Sequence, residues 1–288
     1  MAWLERGHVK IYYEDEGEGE GEPIITTHGL MEDCGYWRET GVTEKLAERY
    51  RVISMDMRGH GRTVVDGEPH GYDVGTMAND FSALADALNL ARFHILSHAT
   101  GGMAAVRYAM TTSERLISLM LTDTGSATVP EIPGVEFTEE MREMHRLTAE
   151  TRKTATVEEW MALARAEPGP FLFKMDEHPD SEAMFKIFEG FIERSDPVAI
   201  RDLMMSFYTD PDPMVAGLRQ IQCPTLVLLG EFDIVFLEPS AILAREIPNA
   251  RHVILDNIGH MTAIEDPERT TREIIQFIAS VEQGGIAG

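Results

Sequence analysis

The sequence predicts an α/β protein whose mostly parallel sheet is interrupted late in the chain by a helical insertion. Short apolar runs alternate with helical patterns as far as Thr122, and the same rhythm returns at Pro224. Between these points the chain is rich in Met and Phe and shows no strand pattern. Alternating strands and helices form βαβ units, whose parallel sheet is covered by helices on both faces. A length of 288 residues suits one large domain, or a core that carries an inserted subdomain.

The predicted strands are short apolar runs bounded by turn residues. In chain order they are His8–Tyr13, Pro23–Thr27, Tyr50–Asp56, Phe93–Ser97, Leu116–Thr122, Pro224–Gly230 and His252–Asp256. The stretch that joins the first two, Glu14–Glu22, is rich in Gly and Glu, which predicts an exposed hairpin connection.

The predicted helices have apolar residues at helical spacing and capping residues at their starts. They cover Trp37–Arg49, the stretch from the cap Asp73 to Leu90, Gly102–Met110, Pro239–Glu246 and Glu268–Val281. Residues 1–127 and 219–288 are therefore predicted to form the core, and residues 128–218 a helical cap. The large apolar residues of this cap are Met141, Met144, Trp160, Met161, Phe171, Phe173, Met184, Phe185, Phe188, Phe191, Met204, Met205 and Phe207.

Charge and apolar content limit the classes of partner. The formal net charge of −24 disfavours nucleic acid and anionic membranes. No apolar run approaches the roughly 18 residues that cross a bilayer, and Met1–Tyr13 lacks the apolar centre of a signal peptide. Cys34 and Cys223 lie far apart without metal-ligand spacing, so free buried thiols are expected. Together these features predict a cytoplasmic protein with a small-molecule ligand, and they leave a homodimer open.

The stretch Ile95-Leu96-Ser97-His98-Ala99-Thr100-Gly101-Gly102 resembles the nucleophile elbow of α/β hydrolases, whose pattern is G-x-S-x-G. The elbow is a sharp turn from strand to helix, and it requires small residues on both sides of the nucleophile. Ser97 and Gly101 fill those positions, and Ala99 stands where the nucleophile belongs. A methyl group cannot perform the attack.

Further motifs are similar to those of the same family and occur in the family's order. They are Thr27-His28-Gly29-Leu30, Asp56-Met57-Arg58-Gly59-His60-Gly61-Arg62 with Thr63, Gly230-Glu231-Phe232-Asp233, Gly259-His260, and Glu265-Asp266-Pro267-Glu268. The resemblance implies an α/β-hydrolase sheet with the cap inserted after its sixth strand. It also implies a triad at Ala99, Asp233 and His260, with Asp123 as the rival acid.

The resemblance implies an oxyanion hole formed by the backbone amides of Leu30 and Thr100, and it implies neither a metal nor an organic cofactor. His28 and His98 are expected to be structural. Ser97, Thr100 and Cys34 are poor substitutes for the missing nucleophile, because nothing in the sequence places their side chains against His260.

Three hypotheses explain Ala99. The first is a hydrolase of an ester or lactone in a fairly apolar small molecule, inactivated by exchange of a native serine. The second is an enzyme that uses His260 and Asp233 as a cofactor-free dyad, and the third is a non-catalytic ligand-binding protein. Family members with an aspartate nucleophile usually have Trp after it, whereas Thr100 follows here. Ester, lactone and C–C bond cleavage are not distinguished by the sequence.

Overall fold

The computed structural model describes residues 2–67, 71–126, 138–206 and 214–285, and it is built on one sheet. The strands are β1 Ala2–Arg6, β2 Val9–Glu16, β3 Gly21–Thr27, β4 Tyr50–Met55, β5 Val64–Val65, β6 Phe93–His98, β7 Leu116–Thr122, β8 Thr225–Gly230 and β9 Ala250–Leu255. They lie in the order β1-β2-β4-β3-β6-β7-β8-β9, and β5 pairs with β2. In this spatial order, every pairing from β4 through β3, β6, β7 and β8 to β9 is parallel. The predicted mostly parallel sheet is confirmed.

The predicted hairpin connection over Glu14–Glu22 is wrong. Strands β2 and β3, which flank it in sequence, are not neighbours, because β4 lies between them. The hairpin at this end joins β1 to β2 through Gly7, whose φ is 62°. Strand β1 was not predicted, and its residues are alternately exposed and half-buried, which is typical of an edge strand.

Helices cover the sheet at most of the predicted places. They are α1 Gly35–Glu39, α2 Val42–Ala47, α3 Val74–Ala87, α4 Ala99–Thr112, α5 Glu139–Thr154, α6 Val157–Ala166, α7 Ser181–Arg194, α8 Pro197–Ser206, α9 Val215–Leu218, α10 Leu237–Glu246, α11 Thr262–Glu265 and α12 Pro267–Glu282. The single helix predicted over Trp37–Arg49 is instead two, because Gly41 adopts a φ of 80° between α1 and α2. Asp73 caps α3 as predicted, accepting a hydrogen bond from the amide of Thr76.

Helices α5–α9 lie between β7 and β8, joined by turns, and the described part of this segment contains no strand. Strand β7 is the sixth strand of the chain when the two-residue β5 is set aside. Helices α6 and α7 share one apolar cluster with the core through Trp160, Phe185 and Phe188. Thr128, Phe207 and the side chain of Met141 lie outside the described residues. No described helix has the length and apolar character needed to cross a membrane.

Candidate active site

The turn from β6 to α4 holds Ala99 in a strained backbone conformation. Its φ is 44°, in the left-handed region that non-glycine residues seldom adopt. The Thr124 hydroxyl donates to the Ala99 carbonyl oxygen at 2.6 Å. A Cβ on Gly101 would lie 2.5 Å from the His28 carbonyl oxygen, so the helix can approach the strand only with glycine there. This is the geometry that a nucleophile elbow requires.

His260 and Asp233 form a buried pair near the elbow. The His260 Nδ1 lies 3.0 Å from the Asp233 Oδ2, and 4 % and 0 % of the two side chains are exposed. Asp233 also accepts a hydrogen bond from the amide of Phe236, so it caps the following turn as well. The ring of His260 lies 4.9 Å from that of His98, the residue before Ala99. The structure thus brings together the loops that carry both predicted partners of position 99.

Asp123, the rival acid, is held by other groups. Its Oδ1 accepts a hydrogen bond from the Gly230 amide at 3.1 Å, and its Oδ2 accepts one from the Thr262 hydroxyl at 2.7 Å. Burial raises the pKa of this carboxyl group, and His98 opposes that shift. Asp233 is therefore the carboxylate that hydrogen-bonds the His260 ring.

A second carboxylate fixes the loop around His260. Glu265, at the end of α11, accepts hydrogen bonds from the amides of Gly259 at 2.7 Å and Met261 at 3.0 Å. These amides flank His260 on both sides in the chain. Burial raises the pKa of Glu265 to about 7, although both amide hydrogen bonds oppose the shift. The residue type of Glu265 alone gives no reason to expect that it fixes the His260 loop.

Two aromatic rings pack on His260. Phe236 stacks on it at a centroid distance of 5.4 Å, and Phe171 lies tilted at 4.8 Å. Phe171 lies between α6 and α7 and is 37 % exposed, so this segment contacts His260 at a partly open position. Both rings place apolar surface beside the imidazole.

The loop that follows β3 carries the predicted amide of Leu30. Among the residues that the structure describes, this amide has no hydrogen-bond partner. Its neighbours are fixed: the Gly29 amide donates to Glu32, and the Met31 amide donates to the His60 Nε2 at 3.2 Å. Burial lowers the pKa of His60 well below its ordinary value, so its ring stays neutral and can accept this bond. The Leu30 amide is thereby available to a ligand.

The amide of Thr100 belongs to the first turn of α4. First-turn amides have no partner within their own helix. The next amide, that of Gly101, donates to the His28 carbonyl oxygen at 3.1 Å. His28 itself accepts from the Met57 amide through Nε2 and contacts the Gly29 carbonyl oxygen through Nδ1. It therefore holds the loop in place, as expected for a structural histidine.

The three candidate substitutes for a nucleophile are engaged elsewhere or unsuited. Ser97 is buried and shares a 2.7 Å hydrogen bond with the Thr27 hydroxyl. Thr100 is buried in the first turn of α4. Cys34 and Cys223 are free and buried, as predicted, and burial raises the pKa of both thiols. In the described part of the chain, no hydrogen bond joins the side chain of Ser97, Thr100 or Cys34 to His260.

Two buried groups bring potential metal ligands within 4.8 Å of one another. They are Asp123 with Asp233 and His260, and Asp33 with Cys34 and Asp56. In the second group the Cys34 thiol stays protonated because burial raises its pKa, and Asp33 is paired with Arg194 at 2.6 Å. In the first group, hydrogen bonds already engage the oxygens. Neither group therefore presents a set of unengaged, ionised ligands.

Most of the chain matches a known protein family. A family model described as alpha/beta hydrolase fold matches residues 22–267. The chain is 25% identical over 282 residues to a 2-hydroxy-6-oxononadienedioate/2-hydroxy-6-oxononatrienedioate hydrolase of Paraburkholderia xenovorans, covering 95% of this chain and 92% of that protein.

Two solved structures are similar over nearly the whole chain. A thermophilic esterase from Thermogutta terrifontis is 27% identical, with a TM-score of 0.74 and coverage of 95% of this chain and 94% of that one. Est816, described as an N-acyl homoserine lactone degrading enzyme, is 25% identical, with a TM-score of 0.69 and coverage of 96% and 100%.

Proposed function

The chain belongs to the α/β-hydrolase fold family, and on that premise we propose that it is a serine-type hydrolase of carboxylic esters or lactones in which alanine occupies the nucleophile position. Position 99 carries a serine in the active form of this proposal, and Ala99 is its inactivating exchange. The observation that carries the proposal is the buried hydrogen bond between His260 and Asp233, 3.0 Å long, close to a strained elbow.

The roles of the residues follow from their chemistry. With serine at position 99, His260 takes the hydroxyl proton as the serine oxygen attacks the carbonyl carbon. His260 then gives the proton to the leaving alcohol. In the second half of the reaction, water attacks the acyl carbon while His260 takes its proton, and His260 returns that proton to the serine oxygen as the acid leaves. Asp233 orients the ring and stabilises its charged form. The amides of Leu30 and Thr100 stabilise the negative oxygen of the intermediate.

An apolar substrate suits the groups around this site. Phe171 and Phe236 flank the His260 ring. Leu30 and Met31 pack against a small apolar cluster that includes Ile200 and Met204 of the inserted segment. Residues 128–218 are accordingly proposed to act as a cap that selects the substrate. One similar solved structure is described as an esterase and another as an N-acyl homoserine lactone degrading enzyme, so simple esters and these lactones are the first substrates to try.

Ala99 itself favours a second candidate. A site with an intact histidine and acid but no nucleophile can act as a bare base, abstracting a proton without forming a covalent intermediate. A third outcome is a protein that binds a small ligand and leaves it unchanged. Ala99→Ser and His260→Ala, each assayed beside the parent chain, separate all three.

The test is Ala99→Ser, assayed on short aryl esters, N-acyl homoserine lactones and dienedioate substrates. Serine and alanine adopt the strained φ at similar cost, so the fold is expected to be unchanged. We expect the serine form to hydrolyse at least one ester or lactone about a thousandfold faster than the parent chain. The control Ala99→Ser/His260→Ala should return to the parent level.

Two results contradict the proposal. If Ala99→Ser folds normally but hydrolyses no member of the panel, the ligand-binding candidate is preferred. If the parent chain itself converts a substrate, and His260→Ala abolishes that conversion, the bare dyad is the function.

A further inference from the structure

His98, the residue before Ala99, lies between two buried carboxylates. Its Nε2 is 3.3 Å from the Glu32 Oε1, and its Nδ1 is 3.5 Å from the Asp123 Oδ2. The Thr122 hydroxyl is also near Nδ1, at 3.0 Å. The three charged side chains are all at most 1 % exposed. The triad does not include this histidine, although it lies beside it.

The arrangement favours the doubly protonated ring. A neutral ring with its hydrogen on Nδ1 would direct the Nε2 unshared pair at the Glu32 carboxylate. A neutral ring with its hydrogen on Nε2 could accept from the Thr122 hydroxyl at Nδ1, but it would give Asp123 no positive partner. Buried carboxylates are costly unless a positive charge or hydrogen bonds compensate them. An imidazolium places one positive charge within 3.5 Å of both carboxylates.

We propose that His98 is a permanent imidazolium and a positioning residue, whose charge offsets Glu32 and Asp123 so that Asp233 alone acts on His260. The assignment of a catalytic base to His260 rests on the proposed function, whereas the charge state of His98 does not. His98 thereby has a role, although the proposed triad does not use it.

Asp123 is the first carboxylate that needs an offset. Its ligand atoms lie within 4.8 Å of those of both Asp233 and His260. Two uncompensated carboxylates around one imidazole would hold a proton on it and leave less of the neutral base that catalysis requires. The positive ring of His98, 4.9 Å from that of His260, acts in the opposite direction.

Glu32 is the second carboxylate that needs an offset. A Cβ placed on Gly29 would lie 3.0 Å from the Ala99 Cβ and 3.0 Å from the Glu32 Oε2. The methyl group of Ala99 and the carboxylate of Glu32 therefore lie on either side of the same small space beside Gly29. A bare carboxylate there would repel the oxyanion that the neighbouring Leu30 amide is proposed to bind. The His98 charge reduces that repulsion.

Other groups that face His98 are consistent with a charged ring. Tyr36 stacks on it at 4.4 Å, and burial raises the pKa of Tyr36, so the phenol remains neutral. Burial alone would lower the pKa of His98, but Glu32 and Asp123 outweigh it and raise the pKa to about 10. Glu265 and Asp233 approach the His260 side of the cluster.

The first experiment measures the charge directly, in the parent chain. Imidazole ¹⁵N NMR of the full chain between pH 6 and 9 should show both His98 nitrogens protonated throughout. A neutral ring, with its hydrogen on Nε2 and the Thr122 hydroxyl donating to Nδ1, would overturn the proposal. This measurement requires no hydrolytic activity and no variant, so it separates a failure here from a failure of the proposed function.

The second experiment tests positioning. In His98→Gln the pH midpoint of the His260 imidazole signals should rise by about 1–2 units, as expected for loss of a unit charge at about 5 Å. Adding Asp123→Asn should cancel most of that rise, and Asp123→Asn alone should not raise the midpoint. In the Ala99→Ser background the acid limb of kcat/KM should move in the same way. An unchanged midpoint in a folded His98→Gln protein refutes the positioning role.

Discussion

The closest packing in the elbow is at Gly101, and it predicts a large stability effect for a single methyl group. In Gly101→Ala the new Cβ would lie 2.5 Å from both the His28 carbonyl oxygen and the Thr27 Oγ1. Neither atom can move away easily. The His28 oxygen belongs to the backbone and accepts a hydrogen bond from the Gly101 amide, and the Thr27 Oγ1 is hydrogen-bonded to the Ser97 hydroxyl. The helix must therefore move away from the strand by nearly an ångström to restore ordinary contact.

Overpacking of this kind costs about 3 kcal/mol at the upper end of the usual range. Alanine recovers about 1 kcal/mol, because it is a better helix former than glycine. The net expectation for Gly101→Ala is a loss of about 2 kcal/mol in the free energy of unfolding. Urea denaturation, followed by far-UV circular dichroism, measures it.

Gly75 provides the matched control, because it also lies in the first turn of a helix, α3. A Cβ there would meet only the Asp73 Oδ1, at an ordinary 3.4 Å. Gly75→Ala should be neutral or stabilise by up to about 1 kcal/mol. If Gly101→Ala is as stable as Gly75→Ala, the elbow does not depend on close approach and the packing argument is refuted.

Two other predictions concern Glu265 and Phe171. Burial raises the pKa of Glu265 to about 7, so the folded chain holds a proton there that the unfolded chain releases near its ordinary, lower pKa. The free energy of unfolding should therefore fall as the pH rises from about 4.5 to 7, and Glu265→Gln should remove roughly 2–3 kcal/mol of that fall. Denaturation at several pH values measures it. If the free energy of unfolding depends on pH in the same way in Glu265→Gln and in the parent chain, the reasoning is wrong. Phe171→Ala, in the Ala99→Ser background, should raise KM for an aryl ester about tenfold with little change in Tm, because the ring contacts His260 and is partly exposed. Phe173→Ala, with a similar exposed fraction of 36 %, is the control and should change KM much less.

The core elements could be predicted because their signals are local. Strand β7 was predicted with its observed bounds, Leu116–Thr122, since a run of apolar residues there is buried on both faces of the sheet. The cap of α3 was predicted from Asp73 in the same way. Pairing between strands is not local. The sequence around Glu14–Glu22 contains a turn signal but nothing to show that β4 enters between β2 and β3.

The same distinction applies to the site. His260 and Asp233 each lie in a short motif, and the structure brings them within hydrogen-bond distance. The remaining groups gain their role from partners distant in sequence: His98 meets Glu32 and Asp123, and Met31 meets His60. Residue type alone made His98 an ordinary structural histidine. Only the convergence of two buried carboxylates on its ring gives it a charge and an effect on its neighbours.

The free-energy costs of backbone strain and of buried charge around the elbow bear on the role of position 99. Ala99 has a left-handed φ, which costs about 1–3 kcal/mol and which the surrounding structure must sustain. Glu32, Asp123 and Asp233 are all buried, and buried carboxylates are costly unless a positive charge or hydrogen bonds compensate them. Strain and buried charge of this kind persist where a reactive side chain must be presented to a base. A methyl group draws no benefit from either, and this mismatch is the reason for proposing a serine at position 99 in the active form.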